Sequence, residues 1–224
     1  MFLEPGTNYD LKLTLTDPDG GSEIQIVNAT TKQEVPDEVI GNDVYVIPGS
    51  GGGSGSENDP YKGLQTAADN SAPGDVIHLA AGTYSRVTIN KSGTKDGFIT
   101  YVGAPNHTSI IDGGGSDNNT PSDTRSVVCL NDYVSYVVLD GLKIQNAYWG
   151  IDARHSQHIV LRRSIVTDVD YGYLNRRESG KESDQTISDN IFEGRLEWPH
   201  YPLNDIPKER CVDIRGNNNV VRYN

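Results

Sequence analysis

Tyr136-Val137-Val138-Leu139-Asp140-Gly141 and His158-Ile159-Val160-Leu161-Arg162-Arg163 are two versions of one phrase, set 22 residues apart. The same interval separates Tyr148-Trp149-Gly150-Ile151 from Asp170-Tyr171-Gly172-Tyr173. A third version, Asp184-Gln185-Thr186-Ile187-Ser188-Asp189-Asn190-Ile191-Phe192, follows after 26, with the four extra residues around Ser179 to Glu182. Self-similarity at a period of about 20 to 50 residues marks a chain that stacks one small unit on the next. One such unit cannot bury its apolar side alone; stacking produces a continuous core.

Short apolar runs separated by Asn-, Asp- and Gly-rich turns make each unit a rung of strands and corners. The period therefore predicts an all-β parallel β-helix solenoid. Parallel strands are expected to recur near offsets of 22 between residues 76 and 224, with little helix beyond residues 60–69. Leucine-rich repeats have a comparable length but need several leucines per unit at fixed spacing, which are missing here.

Working outward from the repeats, Asp59-Pro60-Tyr61-Lys62-Gly63-Leu64-Gln65-Thr66-Ala67-Ala68 reads as a short helix, with Asp59 as cap and Pro60 at the first helical position. Asn70 to Asp75 ends it and opens the strand Val76-Ile77-His78-Leu79. A solenoid exposes its core at each end, so an amphipathic helix over the first rung has a physical purpose. The strand Val44 to Ile47, this helix and the following PGDVIHLAAGTY at residues 73–84 resemble the opening of right-handed parallel β-helix proteins of the pectate-lyase-like kind. The resemblance covers roughly residues 43–224 and names an architecture more than a reaction. Between strand and helix, Ser50 to Ser56 (SGGGSGS) has the composition of a flexible linker.

Residues 1–42 form a separate segment. Tyr9-Asp10-Leu11-Lys12-Leu13-Thr14-Leu15 alternates with period two, Asp17-Pro18-Asp19-Gly20-Gly21 turns, and Glu23-Ile24-Gln25-Ile26 resumes. Leu3 to Tyr9 resembles the approach to the penultimate strand of a fibronectin type III domain, where the tyrosine folds back on the preceding turn. Two strands cannot bury a sandwich core, so the segment is expected to be the remnant of such a domain or to pack on its neighbour. The chain stops at Val220 to Asn224 partway through a rung, so the β-helix is expected to continue beyond it.

Composition bounds the function. A net charge of -12 argues against a nucleic-acid partner, which needs basic patches. No run of about 18 apolar residues is present to span a membrane. The start, Phe2-Leu3-Glu4-Pro5, lacks a signal-peptide pattern, so a secreted parent would carry its signal upstream. The two cysteines, Cys129 and Cys211, make no disulfide framework. They fall about three rungs apart, on the order of 14 Å, and are expected to be free thiols. A monomer is expected.

Stacking converts the period into columns of side chains about 4.8 Å apart. Aligning Gly150 to Arg154, Gly172 to Arg176 and Cys211 to Arg215 places Arg154, Arg176 and Arg215 in one column. Asp152, Leu174 and Asp213 form a second, and Ile151, Tyr173 and Val212 point inward. Stacked guanidinium groups repel unless an anion lies between them. Two readings stay open: an exposed ladder closed by Asp152, Asp213 and Glu178, or a groove whose arginines bind an acidic sugar chain.

Lyases of the architecture that the sequence resembles abstract a proton beside a uronate carboxylate, using a basic residue and often calcium or another cation. The resemblance thus implies a secreted bacterial lyase or epimerase acting on acidic polysaccharide. Candidate catalytic residues are Arg154, Arg176 and His155. Arg215, Asp152, Asp213 and the aromatics Trp198, His200 and Tyr201 are candidates for substrate binding. Those three aromatics lie in the one long insertion, since Gly172 to Cys211 spans 39 residues rather than 22. Asp168 and Asp170 at a rung corner are the candidate calcium ligands, although calcium takes about six to eight oxygens and a solvated turn has the same sequence. A glycoside hydrolase of the same fold would need paired carboxylates across a groove, and a non-catalytic polysaccharide-binding solenoid needs no catalytic motif.

Overall fold

The computed structural model describes residues 3–4, 6–31, 41–116, 120–121, 124–176, 181–195 and 210–224. The chain divides into two compact units, Met1–Glu38 and Val39–Asn224.

The first unit is a hairpin. Strands β1 (Asn8–Thr16) and β2 (Ser22–Thr30) pair antiparallel from Asn8 opposite Thr30 to Thr16 opposite Ser22. The turn closes where the Asp17 N–H donates to the Gly21 carbonyl at 2.7 Å, and Gly20 supplies the positive φ of 106° there. The Tyr9 hydroxyl accepts the Glu4 N–H at 2.8 Å.

In the second unit the chain runs through β3 (Asn42–Ile47), β4 (Tyr61–Lys62), helix α1 (Leu64–Asn70), β5 (Asp75–Leu79), β6 (Gly82–Ser85), β7 (Val87–Ile89), β8 (Ile99–Gly103) and β9 (Ser109–Asp112). It continues with β10 (Ser126–Leu130), β11 (Ser135–Asp140), β12 (Lys143–Asp152), β13 (Gln157–Arg162), β14 (Ile165–Arg176), β15 (Thr186–Ser188), β16 (Ile191–Phe192), β17 (Arg210–Arg215) and β18 (Val220–Arg222). One sheet runs β4-β3-β5-β8-β11-β13-β15-β18; the other runs β7-β10-β12-β14-β16, with β17 also on β14 and β6-β9 joined to β12. Among the described residues every strand pair of this unit is parallel.

The register follows the sequence period. Val137 pairs with Ile159 and Leu139 with Leu161, Val160 with Thr186, and Tyr171 with Arg210 across the long insertion. A slip of one residue would turn the apolar set to solvent, so the irregular intervals are taken up in the corners. The inward column Ile77, Tyr101, Leu139, Leu161, Ile187 is 1% exposed or less at each rung. Ile99, Val137 and Ile159 form the neighbouring inward column.

The corners of the first-named sheet use the left-handed conformation, at Asn, Asp and Gly in half of the positions and at Tyr, His and Arg in the rest. The positions that open the first-named sheet, Tyr136, His158, Asp184 and Asn218, have φ of 60°, 52°, 50° and 62°. Those that close it, Gly141, Arg163, Asp189 and Tyr223, have φ of 67°, 49°, 58° and 54°. The left-handed conformation turns the chain at each end of the strand, and glycine, asparagine and aspartate adopt it at least cost. A polar ladder, buried at Ser164 and Asn190, ties successive corners together. The Ser164 hydroxyl accepts the Leu142 N–H at 3.1 Å, Asn190 Oδ1 the Ser164 N–H at 3.0 Å, and Asn224 Oδ1 the Asn190 N–H at 3.1 Å. Each side chain thereby satisfies a corner amide of the adjoining rung.

Two local expectations are corrected. The helix begins at Leu64, not Pro60, with Gly63 as N-cap at φ 88°. Pro60 lies outside it because Tyr61-Lys62 is already held as β4 beside Val46 and Ile47, and the Asp59 carbonyl accepts the Ser54 and Gly55 amides. Leu64, Ala67 and Ala68 face the core. Nor is Ser50 to Ser56 a flexible linker. Gly51 donates to the Lys62 carbonyl at 2.7 Å, Lys62 donates to that of Gly52 at 2.9 Å, and Tyr45 donates to that of Gly55 at 2.8 Å. A Cβ on Gly53 would overlap the Pro60 carbonyl and one on Gly55 the Tyr61 ring; these two glycines serve close approach. Both cysteines are free thiols.

Candidate functional site

The sheet β7-β10-β12-β14-β17 carries the candidate residues. Its register aligns Thr88, Cys129, Asp152, Leu174 and Asp213 in one column, in which Asp152 and Leu174 are themselves buried. Ile151 and Tyr173, between them, are fully buried, and Val212 packs against the same core. Arg176 and Arg215 are direct partners across the β14–β17 ladder, whereas Arg154 lies two residues past the end of β12, in the corner.

Trp149 is buried and pairs in register with Tyr171. A Cβ on Gly150 would come within 2.5 Å of the Gly172 carbonyl and 2.8 Å of Val166, so the backbone packs tightly inward there. Trp149 lies outside the core cluster, covered by the Arg154 guanidinium at 4.9 Å and that of Arg125 at 5.5 Å from the ring. Tyr148 lies 5.7 Å from Trp149 and 5.4 Å from Tyr171, centroid to centroid. Trp149 and Tyr171 continue into Arg210 along one column. Aromatic and charged columns therefore run side by side.

The ion pairs are uneven. Arg154 donates from Nε to both oxygens of Asp152, at 2.8 and 3.0 Å, and its Nη2 lies 2.7 Å from Oδ2. The hydrogen bond to Asp152 is the main cause that raises the Arg154 pKa above its usual value. Asp213 instead faces three arginines: Arg210 Nη1 donates to it at 2.6 Å, while Arg176 Nε and Arg215 Nε stand at 3.7 and 3.9 Å. Among the described residues, these ion pairs bring four guanidinium groups to two carboxylates.

His155 sits at a corner with φ 63°, its Nδ1 2.8 Å from Asp132 Oδ1 and its ring stacked on Tyr133. His158 belongs to another column, stacked on Tyr136 at 4.3 Å and 3.7 Å from Asp184. Asp168 is an exposed corner residue, whereas Asp170 is buried and bound by Arg195 Nε at 2.6 Å. Among the described residues no group of three or more His, Cys, Asp or Glu side chains converges, so Asp168 and Asp170 do not by themselves fit the oxygen-rich shell that calcium requires. Trp198, His200 and Tyr201, like Glu178, lie outside the described residues.

Arg125, Arg210, Tyr171 and Asp132 escaped the sequence reading. Arg210 and Tyr171 were within reach of it, since each lies one residue before an aligned glycine or cysteine. Arg125 and Asp132 flank β10, whose rung carries no copy of the repeated phrase that would have fixed its register.

No protein-family model matches the chain, and no curated protein matches it. Among solved structures it is similar to pectate lyase Pel9A, at 20% identity over 67% of this chain and 40% of that one, with a TM-score of 0.51. It is also similar to an alginate lyase from Paenibacillus sp. str. FPU-7, at 25% identity over 57% of this chain, with a TM-score of 0.46. The chain spans 40% of the length of either structure. What the pectate lyase likeness carries is the fold alone, and it agrees with the stacked parallel rungs and the helix over the first of them: the chain is a right-handed parallel β-helix.

Proposed function

We propose that this chain is part of a secreted bacterial polysaccharide lyase or epimerase acting on acidic, uronate-containing polysaccharide. The observation that supports the reading is the excess, among the described residues, of guanidinium over carboxylate in the ion pairs of Asp152 and Asp213, in a chain whose net charge is -12. Local positive charge against an acidic background selects a polyanion at that face. Tyr171, half-buried alongside it, offers the apolar contact that a sugar ring takes.

Both reactions begin with removal of the proton beside a uronate carboxylate, which needs a base and a cation to stabilise the enolate-like intermediate. Arg154 suits the second task rather than the first, because its bond to Asp152 raises its pKa and keeps it charged. Arg176 and Arg215 bind the sugar carboxylate. His155 is the candidate base: Asp132 holds Nδ1 and orients the ring, so proton exchange with substrate runs through Nε2. Trp198, His200 and Tyr201 are expected to contribute sugar contacts from the insertion. A glycoside hydrolase is the weaker reading, since Asp152 and Asp213 are both engaged by arginine.

The test is incubation of the chain with pectate, alginate and a neutral glucan while ultraviolet absorbance of unsaturated product is followed. Absorbance should rise with a uronate polymer alone, and His155→Ala should lower the rate by about 10²-fold or more. Binding of a uronate polymer without product, and without exchange of its ring protons with solvent, would leave a non-catalytic binding solenoid instead.

A further inference from the structure

The corner that joins the two sheets holds aromatic rings in a costly conformation. Tyr133 and Tyr136 lie between β10 and β11 or at the start of β11, and 22 residues later His155 and His158 take the equivalent places around the start of β13. All four have positive φ, at 67°, 60°, 63° and 52°. Glycine or asparagine would adopt that conformation with less strain. Bulky rings held there point to a use for the rings.

One pair closes on itself. Tyr136 stacks on His158 at 4.3 Å and meets Phe98 edge-on at 5.4 Å. The other pair stays open. His155 lies over one face of Tyr133, with centroids 6.1 Å apart. Tyr133 is nevertheless 71% exposed, the most of any large hydrophobic side chain among the described residues, so its other face meets solvent. Beside it the Asp132 side chain is 69% exposed, and among the described residues its ion pair is with His155 alone. Charge changes sign along this edge: three rungs on, about 14 Å away, Asp213 meets three arginines.

We infer that Tyr133 and Asp132 form a subsite for a neutral sugar residue of the polysaccharide. The inference rests on the acidic-polysaccharide reading and narrows its substrate to chains that mix uronate with neutral sugars. The open face of Tyr133 takes the C–H face of a pyranose ring. An ionised carboxylate only accepts hydrogen bonds, so Asp132 takes the hydroxyl hydrogens of that sugar and repels a second carboxylate. A pure uronate chain must set one carboxylate against Asp132, whereas a mixed chain need not. His155 contacts both residues of the subsite, so a neutral sugar on Tyr133 sets the adjoining uronate at the candidate base.

The experiment titrates the wild-type chain, Tyr133→Asn, Tyr133→Phe and Asp132→Asn with two galacturonate polymers. One is a rhamnogalacturonan backbone, in which galacturonate alternates with neutral rhamnose; the other is pectate, which is galacturonate throughout. Per galacturonate, wild type should bind the alternating chain more tightly. Tyr133→Asn should lose about tenfold on that chain, as for one aromatic contact, and little on pectate. Asparagine suits the backbone conformation at this corner, so its thermal midpoint should not fall below wild type and the loss reports the ring. Tyr133→Phe should bind as wild type, and Asp132→Asn should gain affinity for pectate and narrow the preference. Wild-type affinity of Tyr133→Asn for the alternating chain, an equal loss on both chains, or a wild-type preference for pectate would overturn the neutral-sugar subsite and leave the acidic-polysaccharide reading in place. Failure of wild type to bind either polymer would overturn that reading and the subsite with it.

Discussion

Asp140 and Arg162 face each other across neighbouring rungs, each 4% exposed, with Nε 2.9 Å from Oδ2. Arg163 reaches the same carboxylate. Such a buried pair adds little net stability, because both charges leave water, but removing one partner strands the other. Asp140→Ala should therefore destabilise the fold by about 3–5 kcal/mol. Arg215→Ala, whose side chain is 59% exposed, should change stability by about 0–1 kcal/mol. Urea titrations of the two variants check this contrast, and similar midpoints would refute it. Spacing placed Arg154, Arg176 and Arg215 on successive rungs but carried no information about side-chain direction. It thus did not reveal that Arg154 folds back on Asp152 two residues earlier, or that Arg210 completes a trio on Asp213.

At the scale of elements, the strands were legible and the connections were not. The runs at 136–141 and 158–163 alternate and repeat, and their pairing follows from both properties. Ser50 to Ser56 has the composition of a linker, yet it is fixed by backbone bonds to Lys62, Asp59 and Tyr45. Glycine serves a flexible chain and a crowded one alike. The distinction can be measured at two positions. Gly51 has φ 79° with open space around it, whereas Gly53 has φ 83° and would press a Cβ into the Pro60 carbonyl. Gly51→Ala should cost about 1 kcal/mol for its backbone conformation, and Gly53→Ala should cost clearly more. Equally small losses in thermal unfolding would mean that the loop behaves as a linker after all. The helix start was misread for a related reason: Asp-Pro is a helix-opening signal that here lies in a turn leading to β4.

Over the whole second unit, one period sets both the core and the surface. Inward columns of Ile, Leu, Val and Tyr make a continuous interior, and the same register stacks Asp152, Leu174 and Asp213 in a second column, with Arg176 and Arg215 at the end of the ladder. Fold and columns were therefore readable together, while chemistry was not, since it depends on corners and on an insertion that break the repeat. The central claim is that a net acidic chain presents a local cationic face to an acidic polysaccharide. It is tested most directly by titrating the chain with pectate and with neutral dextran at about 0.1 M and about 0.5 M salt, between which the screening length falls from about 10 Å to roughly half that. The account predicts that pectate binds at the lower salt and weakens at the higher, with dextran weak at both. Equal affinity for the two polymers, or pectate binding indifferent to salt, would contradict it.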